Sequence, residues 1–354
     1  MILGFTHEFP ADDAERALPD AVSARALLGE RAAPLEALLT RRAEGWGPLI
    51  HSAADAALLA RIADAVRLAH ARLALRHGQL GNDFHAYHNE GHILEICGGR
   101  IDRLQVALGL SAFRLREWCA LMLFGAGHDL RQREARHALC GVGANERASI
   151  EETQRILDVC GFSREGDADF YAATELMIAG STFDARPPPD GHLYNAADMV
   201  QSGGALADRL ESILDAQRPH WREDPLIVQA QRLALVAADL DTANVAESFR
   251  QFATTAENLC RECEMLSGRS LNAGESALPV LLFLTDGQER FFFELHRFQS
   301  ESGRRAFEAG KQANGPQLKA LCLGVRARIA TNGAPVNGDQ VIAVYRAALA
   351  AIVA

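Results

Sequence analysis

Residues 52–73 read SAADAALLARIADAVRLAHARL, and this stretch sets the fold class. Leu59, Ile62, Val66 and Leu73 recur at helical spacing, so they fall on one face of a helix. Ser52 with Asp55 three residues later reads as the acidic variant of a capping box, so the helix is predicted to start there. The same period continues downstream. Ile93, Ile96, Cys97, Leu104 and Leu108 mark a second helix, and Leu115, Cys119, Met122 and Leu123, after Ser111, mark a third. A fourth is expected from Asn145, with Ile150, Thr153, Ile156 and Cys160 on one side and Glu151 and Glu152 near its positive end. Residues 184–193, DARPPPDGHL, break the pattern, because three prolines in a row cannot continue a helix. Helical patterns resume at about 194–214 and across 225–267. The tail 278–354 reads as three or four more helices, with breaks at 313–316 and 331–335. No alternating strand set and no internal repeat stands out. The expectation is an all-α protein: an N-terminal helical extension over 1–50, a core over 51–270, and a C-terminal extension over 271–354 packed on that core.

Composition narrows the function classes. Of 354 residues, 48% are hydrophobic and 23% charged, an ordinary globular balance that excludes a disordered chain. Acidic residues outnumber basic ones, 46 to 36, for a formal charge of −10. Affinity for a phosphate backbone requires a Lys and Arg excess, so a nucleic-acid polymer is not an expected partner. A small anionic substrate stays open, because a bound metal reverses the local sign. Lys311 and Lys319 are the only lysines, a bias we assign to a GC-rich bacterial genome rather than to function. Seven dispersed cysteines, an odd number, do not read as a disulfide framework. The first residues lack the cationic start and apolar core of a signal peptide, and no run approaches 18 apolar residues. A cytoplasmic location, with no membrane partner, is expected.

Three separated stretches carry the chemistry. Phe84-His85-Ala86-Tyr87-His88-Asn89-Glu90-Gly91-His92 places His88 and His92 four residues apart, on one face if helical. His128-Asp129 follows an apolar helix, and Asp198 in Ala197-Asp198-Met199 follows the proline break. Each piece alone is common; an isolated Asp before an apolar run is most often a helix cap. Together, two imidazole nitrogens and two carboxylate oxygens suit Mn²⁺, Fe²⁺, Zn²⁺, Co²⁺ or Ni²⁺. A second, oxygen-rich position bridged by Asp129 would accept Mg²⁺. Four protein ligands on an octahedral ion leave two positions for water or substrate.

The order YHN-x-x-H, then HD, then a later AD resembles the HD-domain metal-dependent phosphohydrolases. Tyr87-His88-Asn89-Glu90-Gly91-His92 is similar to the opening signature of the cyclic-nucleotide phosphodiesterase branch and of small bacterial HD phosphohydrolases. Asn145-Glu146-Arg147-Ala148-Ser149 is similar to the NE-x-x-S element that follows in both. The resemblance spans about 84–204 and implies a helical HD-domain bundle. It implies His92, His128, Asp129 and Asp198 as metal ligands, and His88 as the general acid that protonates the leaving alkoxide. It further implies Asn89 and Glu146 as groups orienting His88 and metal-bound water. Candidate substrate contacts are Tyr87, Arg131 and Gln299.

Two departures from the family pattern matter. Phosphodiesterases of this type carry a further His shortly after HD, whereas here none occurs until His137, and Arg131 or Arg133 is the alternative phosphate contact. The residues before HD, Phe124-Gly125-Ala126-Gly127, are smaller than usual; they either leave room beside a metal or let helices pack closely. The aromatic cluster Phe291, Phe292, Phe293 and Phe298 reads as core, and Cys260-Arg261-Glu262-Cys263 as incidental. His192 is a loop or pocket-lining residue. The expected activity is a phosphodiesterase using metal-bound hydroxide and a His general acid on a small phosphoester. The alternatives are a nucleotide phosphomonoesterase, a broad organophosphate hydrolase that includes phosphotriesters, or a non-catalytic nucleotide-sensing module. A homodimer is compatible with all of them.

Overall fold

The computed structural model describes residues 1–5, 8–134, 141–185 and 200–353, with the backbone alone at 183–185 and 200–205. The fold is all-α, as the periodicity predicts. The helices are α1 Asp13–Ala17, α2 Ala21–Leu28, α3 Ala33–Gly45, α4 Ala53–Arg76, α5 Glu90–Leu94, α6 Ile101–Leu108, α7 Leu115–Gly127, α8 Ala144–Val159 and α9 Ala168–Ser181. They continue with α10 Leu210–Gln217, α11 Pro225–Asp241, α12 Phe249–Leu266, α13 Ala277–Leu282, α14 Glu301–Asn332 and α15 Gly338–Val353. A short ribbon pairs Phe183–Ala185, at the start of the expected break, with Val200–Ala205, where the sequence reading has helix. His137, His192 and Asp198 lie outside the described residues.

The chain forms two compact units. The first comprises Met1–Thr182, Ala205–Asp241 and Gln299–Ala306. The second comprises Phe183–Gly204, Thr242–Phe298 and Phe307–Ala354. The N-terminal helices thus share one unit with the segment that carries His88, His92 and His128-Asp129, and the division at 241/242 falls inside the stretch 51–270 that the sequence reading groups as core.

In the first unit, α4 begins as expected. Ser52 accepts a hydrogen bond from the Asp55 amide, and the Asp55 carboxylate accepts from His51 N–H. Its buried face carries Leu58, Ile62, Val66 and Leu73, while Leu59 is half-buried. Helix α7 is buried along its length apart from Arg116, so it is the centre of its layer rather than an amphipathic edge. Its small residues serve packing. A Cβ on Gly125 would stand 2.7 Å from Ile96 Cγ2, and one on Gly127 would stand 2.5 Å from Thr153 Oγ1. Helix α9 packs chiefly on α11 and also on α7 and α8.

Buried carboxylates stitch the N-terminal segment to this unit. Glu175 accepts from the amides of Ile2 and Leu3, and Glu151 from those of Glu8 and Phe9. Glu151 and Glu152 are therefore interior residues, not groups complementing the start of α8. Glu15 meets Arg72, Arg131 and Arg155, and Asp12 with Glu152 holds Arg76. Removing one partner from such a network strands a buried charge, which costs more than the pair contributes.

In the second unit, α14 runs through Pro316 rather than breaking at 313–316. The buried Asn314 amide donates to Val245 O and Glu247 O, so a polar anchor replaces the turn that Asn-Gly-Pro suggests. Phe292 and Phe298 are core, as expected, whereas Phe293 is exposed. The cysteines among the described residues are free thiols. No helix of the described residues is long and apolar enough to cross a membrane.

Two buried histidines give the fold an acid limit. Burial lowers His70 from 6.5 to about 4, and burial with nearby Lys311 lowers His296 to about 3. Both bases stay neutral in the folded state, so their stability contribution is complete above pH 6.5 and is lost as pH falls toward those values. Each steepens the stability curve by about 1.4 kcal/mol per pH unit in that window. His70→Leu should remove one such increment, seen as a shallower loss of denaturation midpoint between pH 6.5 and 4. An unchanged slope would show that His70 is not buried neutral. Gly127→Ala should cost about 1–3 kcal/mol by forcing α7 off Thr153, read as a lower urea midpoint at unchanged m.

Candidate metal centre

Four side chains from three segments converge in the first unit. His92 comes from α5, His128 and Asp129 from the end of α7, and Asp241 from the last residue of α11. One ligand atom of each lies within 4.8 Å of the others. His128 Nε2 stands 2.8 Å from Asp129 Oδ2 and 3.3 Å from Asp241 Oδ1; His92 Nε2 stands 3.7 and 3.4 Å from the same two oxygens. Adjacent ligands of an octahedral ion with bonds of about 2.1 Å lie about 3.0 Å apart, so these separations are those of a coordination sphere. Both Nε2 atoms are buried and make no hydrogen bond of acceptable geometry. An orphaned pair of this kind facing two carboxylates fits a cation.

The local structure aims each ligand. His128 caps α7, and its Nδ1 lies 3.2 Å from Phe124 O, which fixes the N–H on Nδ1 and turns the Nε2 lone pair inward. His92 Nδ1 faces Glu95 Oε2 at 3.4 Å. Gln132 Nε2 donates to Asp129 Oδ1 at 2.9 Å, leaving Oδ2 for the shared point. Arg100 is buried and donates to Leu240 O and Asp241 O at the end of α11, while its other nitrogen meets Glu95 at 3.3 Å. A π-helical turn over Glu95–Arg100 brings this guanidinium round to both partners.

The electrostatics call for positive charge. Burial opposes a charge on His128, yet Asp129 and Asp241 overcome it and raise the imidazole to about 10. Burial also works against charge on the two carboxylates, but His128 outweighs it, and both are held below the usual range. Without a cation, the site keeps a proton that a divalent ion would replace. Burial, with the charges of Asp129 and Asp241, raises Glu146 to about 7. Its carboxylate folds back over Gly143, where a Cβ would stand 2.2 Å from Oε2.

Of the residues expected in the site, His92, His128 and Asp129 come together, and His88 stands beside them with Nε2 3.9 Å from Asp129 Oδ2. Tyr87 packs its ring 4.7 Å from that of His88 and 4.5 Å from that of His92, so it separates and braces the two imidazoles. Asn89 is the N-cap of α5. Its oxygen accepts from Gly91 N–H and its nitrogen donates to His85 O, so the carboxamide is committed to the backbone rather than to His88. Arg131, expected at a substrate phosphate, is instead buried among Glu15, Glu134 and Glu152. Its backbone amide donates to Ser149, the last residue of the NE-x-x-S element. Arg133 pairs with Asp83. The Gln299 amide donates to Asp239, two residues before Asp241.

Asp241 is the member of this candidate group that the sequence reading misses. It ends the apolar run LALVAADLD, and only its following break, Thr242-Ala243-Asn244, hints that its carboxylate leaves the helix axis. No protein-family profile, no curated protein and no solved structure matches the chain.

Asp241→Asn keeps shape but removes charge, and should weaken Mn²⁺ or Zn²⁺ affinity by about a hundredfold or more. Calorimetric titration of the apo protein checks this; equal affinity in parent and variant would exclude Asp241 from the ligand set.

Proposed function

We propose that the chain is a metal-dependent phosphoric ester hydrolase of phosphodiesterase type, acting on a small phosphoester. The observation that supports it is one buried point faced by two imidazole nitrogens and two carboxylate oxygens, with a third histidine beside it and outside the ligand set. His92, His128, Asp129 and Asp241 would hold a divalent ion of the Mn, Fe, Zn, Co or Ni type. Such an ion, when bound, supplies Lewis-acid polarisation of a phosphoryl oxygen and lowers the pKa of a bound water.

The remaining work belongs to the chain's own residues. His88 is partly exposed at the rim, so its Nε2–H can reach the oxygen of a departing alcohol. Asp129 lies beside it, with Oδ2 3.9 Å from His88 Nε2. Tyr87 keeps the His88 ring upright against His92. Glu146, near pH 7 in its titration, is suited to holding or passing a proton at the same site. The acidic chain and the few groups at the rim favour a small substrate over a polymer. Dispersed free thiols accord with a cytoplasmic setting.

His88→Ala should retain bound metal and lose about 10²-fold or more in turnover of esters with alkyl leaving groups, with a smaller loss for activated aryl esters. Metal content and rates on cyclic nucleotides, bis-aryl phosphodiesters and nucleotide monophosphates are the measurements. Equal rates in variant and parent on alkyl esters would remove His88 from the acid role. No hydrolysis of any of the three by metal-loaded parent would end the proposal.

A further inference from the structure

The segment between α4 and α5 carries a second cluster that the reading above does not use. His77 caps the end of α4, and Asp83 and His85 follow in the loop that leads to His88. Asp83 Oδ2 stands 3.2 Å from His77 Nδ1 and 3.2 Å from His85 Nε2. The two imidazole rings lie 4.1 Å apart, centroid to centroid. Bonds of about 2.0–2.2 Å at tetrahedral angles place neighbouring ligands about 3.3 Å apart, so the Asp83 separations are those of a Zn²⁺ sphere. His77 is 2% exposed, and neither of its ring nitrogens has a hydrogen-bond partner. A buried imidazole facing a carboxylate and a second imidazole, with its own polar atoms unsatisfied, needs an explanation that packing does not supply.

The backbone builds this cluster before any ion arrives. His85 N–H donates to His77 O at 2.9 Å and Leu80 N–H to Ala74 O at 3.1 Å, closing the loop onto the helix end. Gly78 and Gly81 permit the close approach: a Cβ on Gly78 would strike Glu90 Oε2, and one on Gly81 would stand 2.4 Å from Leu75 O. Both histidines are buried while the Asp83 side chain is 40% exposed, which leaves an entry path on one side. Positive groups oppose a cation here. Arg133 donates to both Asp83 oxygens, and Arg76 is close but committed to Asp12 and Glu152. Arg133 is 44% exposed, so a cation competes with it for Asp83 at an accessible position.

We propose that His77, Asp83 and His85 form a second transition-metal site, of Zn²⁺ type, that ties the end of α4 to the loop carrying His88. The site is separate from the four-ligand centre and is structural. The His85 carbonyl already accepts from the Asn89 side chain that caps α5, so an ion on His85 stiffens the path to both His88 and His92.

Zinc stoichiometry of the chelator-stripped protein, by competition with a chromophoric chelator and by elemental analysis, tests this. The parent should bind two equivalents, and His92→Gln/Asp241→Asn should bind one. Asp83→Asn and His85→Gln should each remove the other equivalent, with circular dichroism confirming the fold. Arg133→Gln, at an exposed position, should tighten the second equivalent by about tenfold, because a competing cation has gone. If zinc binding to the His92→Gln/Asp241→Asn protein is absent, or survives Asp83→Asn and His85→Gln unchanged, the second site is overturned. If Arg133→Gln leaves its affinity unchanged, Asp83 is not a ligand and the proposed set is overturned. If Asp83→Asn and His85→Gln remove an equivalent while His92→Gln/Asp241→Asn removes none, the second site stands and the four-ligand centre falls.

Discussion

Two half-buried carboxylates set against two buried imidazoles are the constraint on which the first unit depends. Asp129 and Asp241 approach one point from the ends of different helices, and mutual repulsion at such a point requires positive charge between them. Without a cation the two carboxylates hold a proton on His128, raising it to about 10, and Arg100 anchors the helix end by donating to the last two carbonyls of α11. The elements that carry the ligands share this arrangement. Helix α7 brings two ligands because its small residues let it sit hard against Ile96 and Thr153. Helix α11 brings one because it packs along α9 and α7.

The N-terminal segment answers a different electrostatic problem with the same means. Glu15, Glu151, Glu152 and Glu175 are interior acids, and each is met by arginines or by backbone amides of the first eighteen residues. Arg131 belongs to this network although it follows Asp129 by only two positions. The loop after the His-Asp pair is thus fixed from behind by the N-terminus. Ser149 accepts from the Arg131 amide, and Asn145 accepts from the Glu134 amide. The NE-x-x-S element is therefore divided in role: Glu146 lies within the field of Asp129 and Asp241 while Asn145 and Ser149 hold the loop.

Helical periodicity makes most of the fold legible from sequence, because a buried stripe at 3.6-residue spacing leaves a mark at positions such as Ile62 and Val66. It fails where polar anchors override local signals. Asn314-Gly315-Pro316 carries turn chemistry, yet Asn314 spends its amide on two carbonyls and the helix continues. The candidate site is legible where ligands are close in sequence, as with His92 and the pair His128-Asp129. Asp241 carries no such mark, because one carboxylate at a helix end is indistinguishable from a solvated one until the fold puts it opposite two histidines. Arg131 is misread for the converse reason: proximity to His128-Asp129 suggests phosphate, whereas the side chain is held by Glu134 and by Pro10 and Glu15, the last two more than a hundred residues away.

The π-helical turn over Glu95–Arg100 has a consequence for how the chain tolerates change in length. Such a turn holds one residue more than an α-helical turn would, and the surplus sets the azimuth of everything after it. Ordinary α-winding of the same residues, without a compensating deletion of one of them, would rotate Arg100 by about 100° about the axis. His92, upstream of the turn, would keep its orientation, while the guanidinium would swing off the end of α11. The register of six residues thus links an imidazole on one helix to a carboxylate on another that follows nearly 150 positions later.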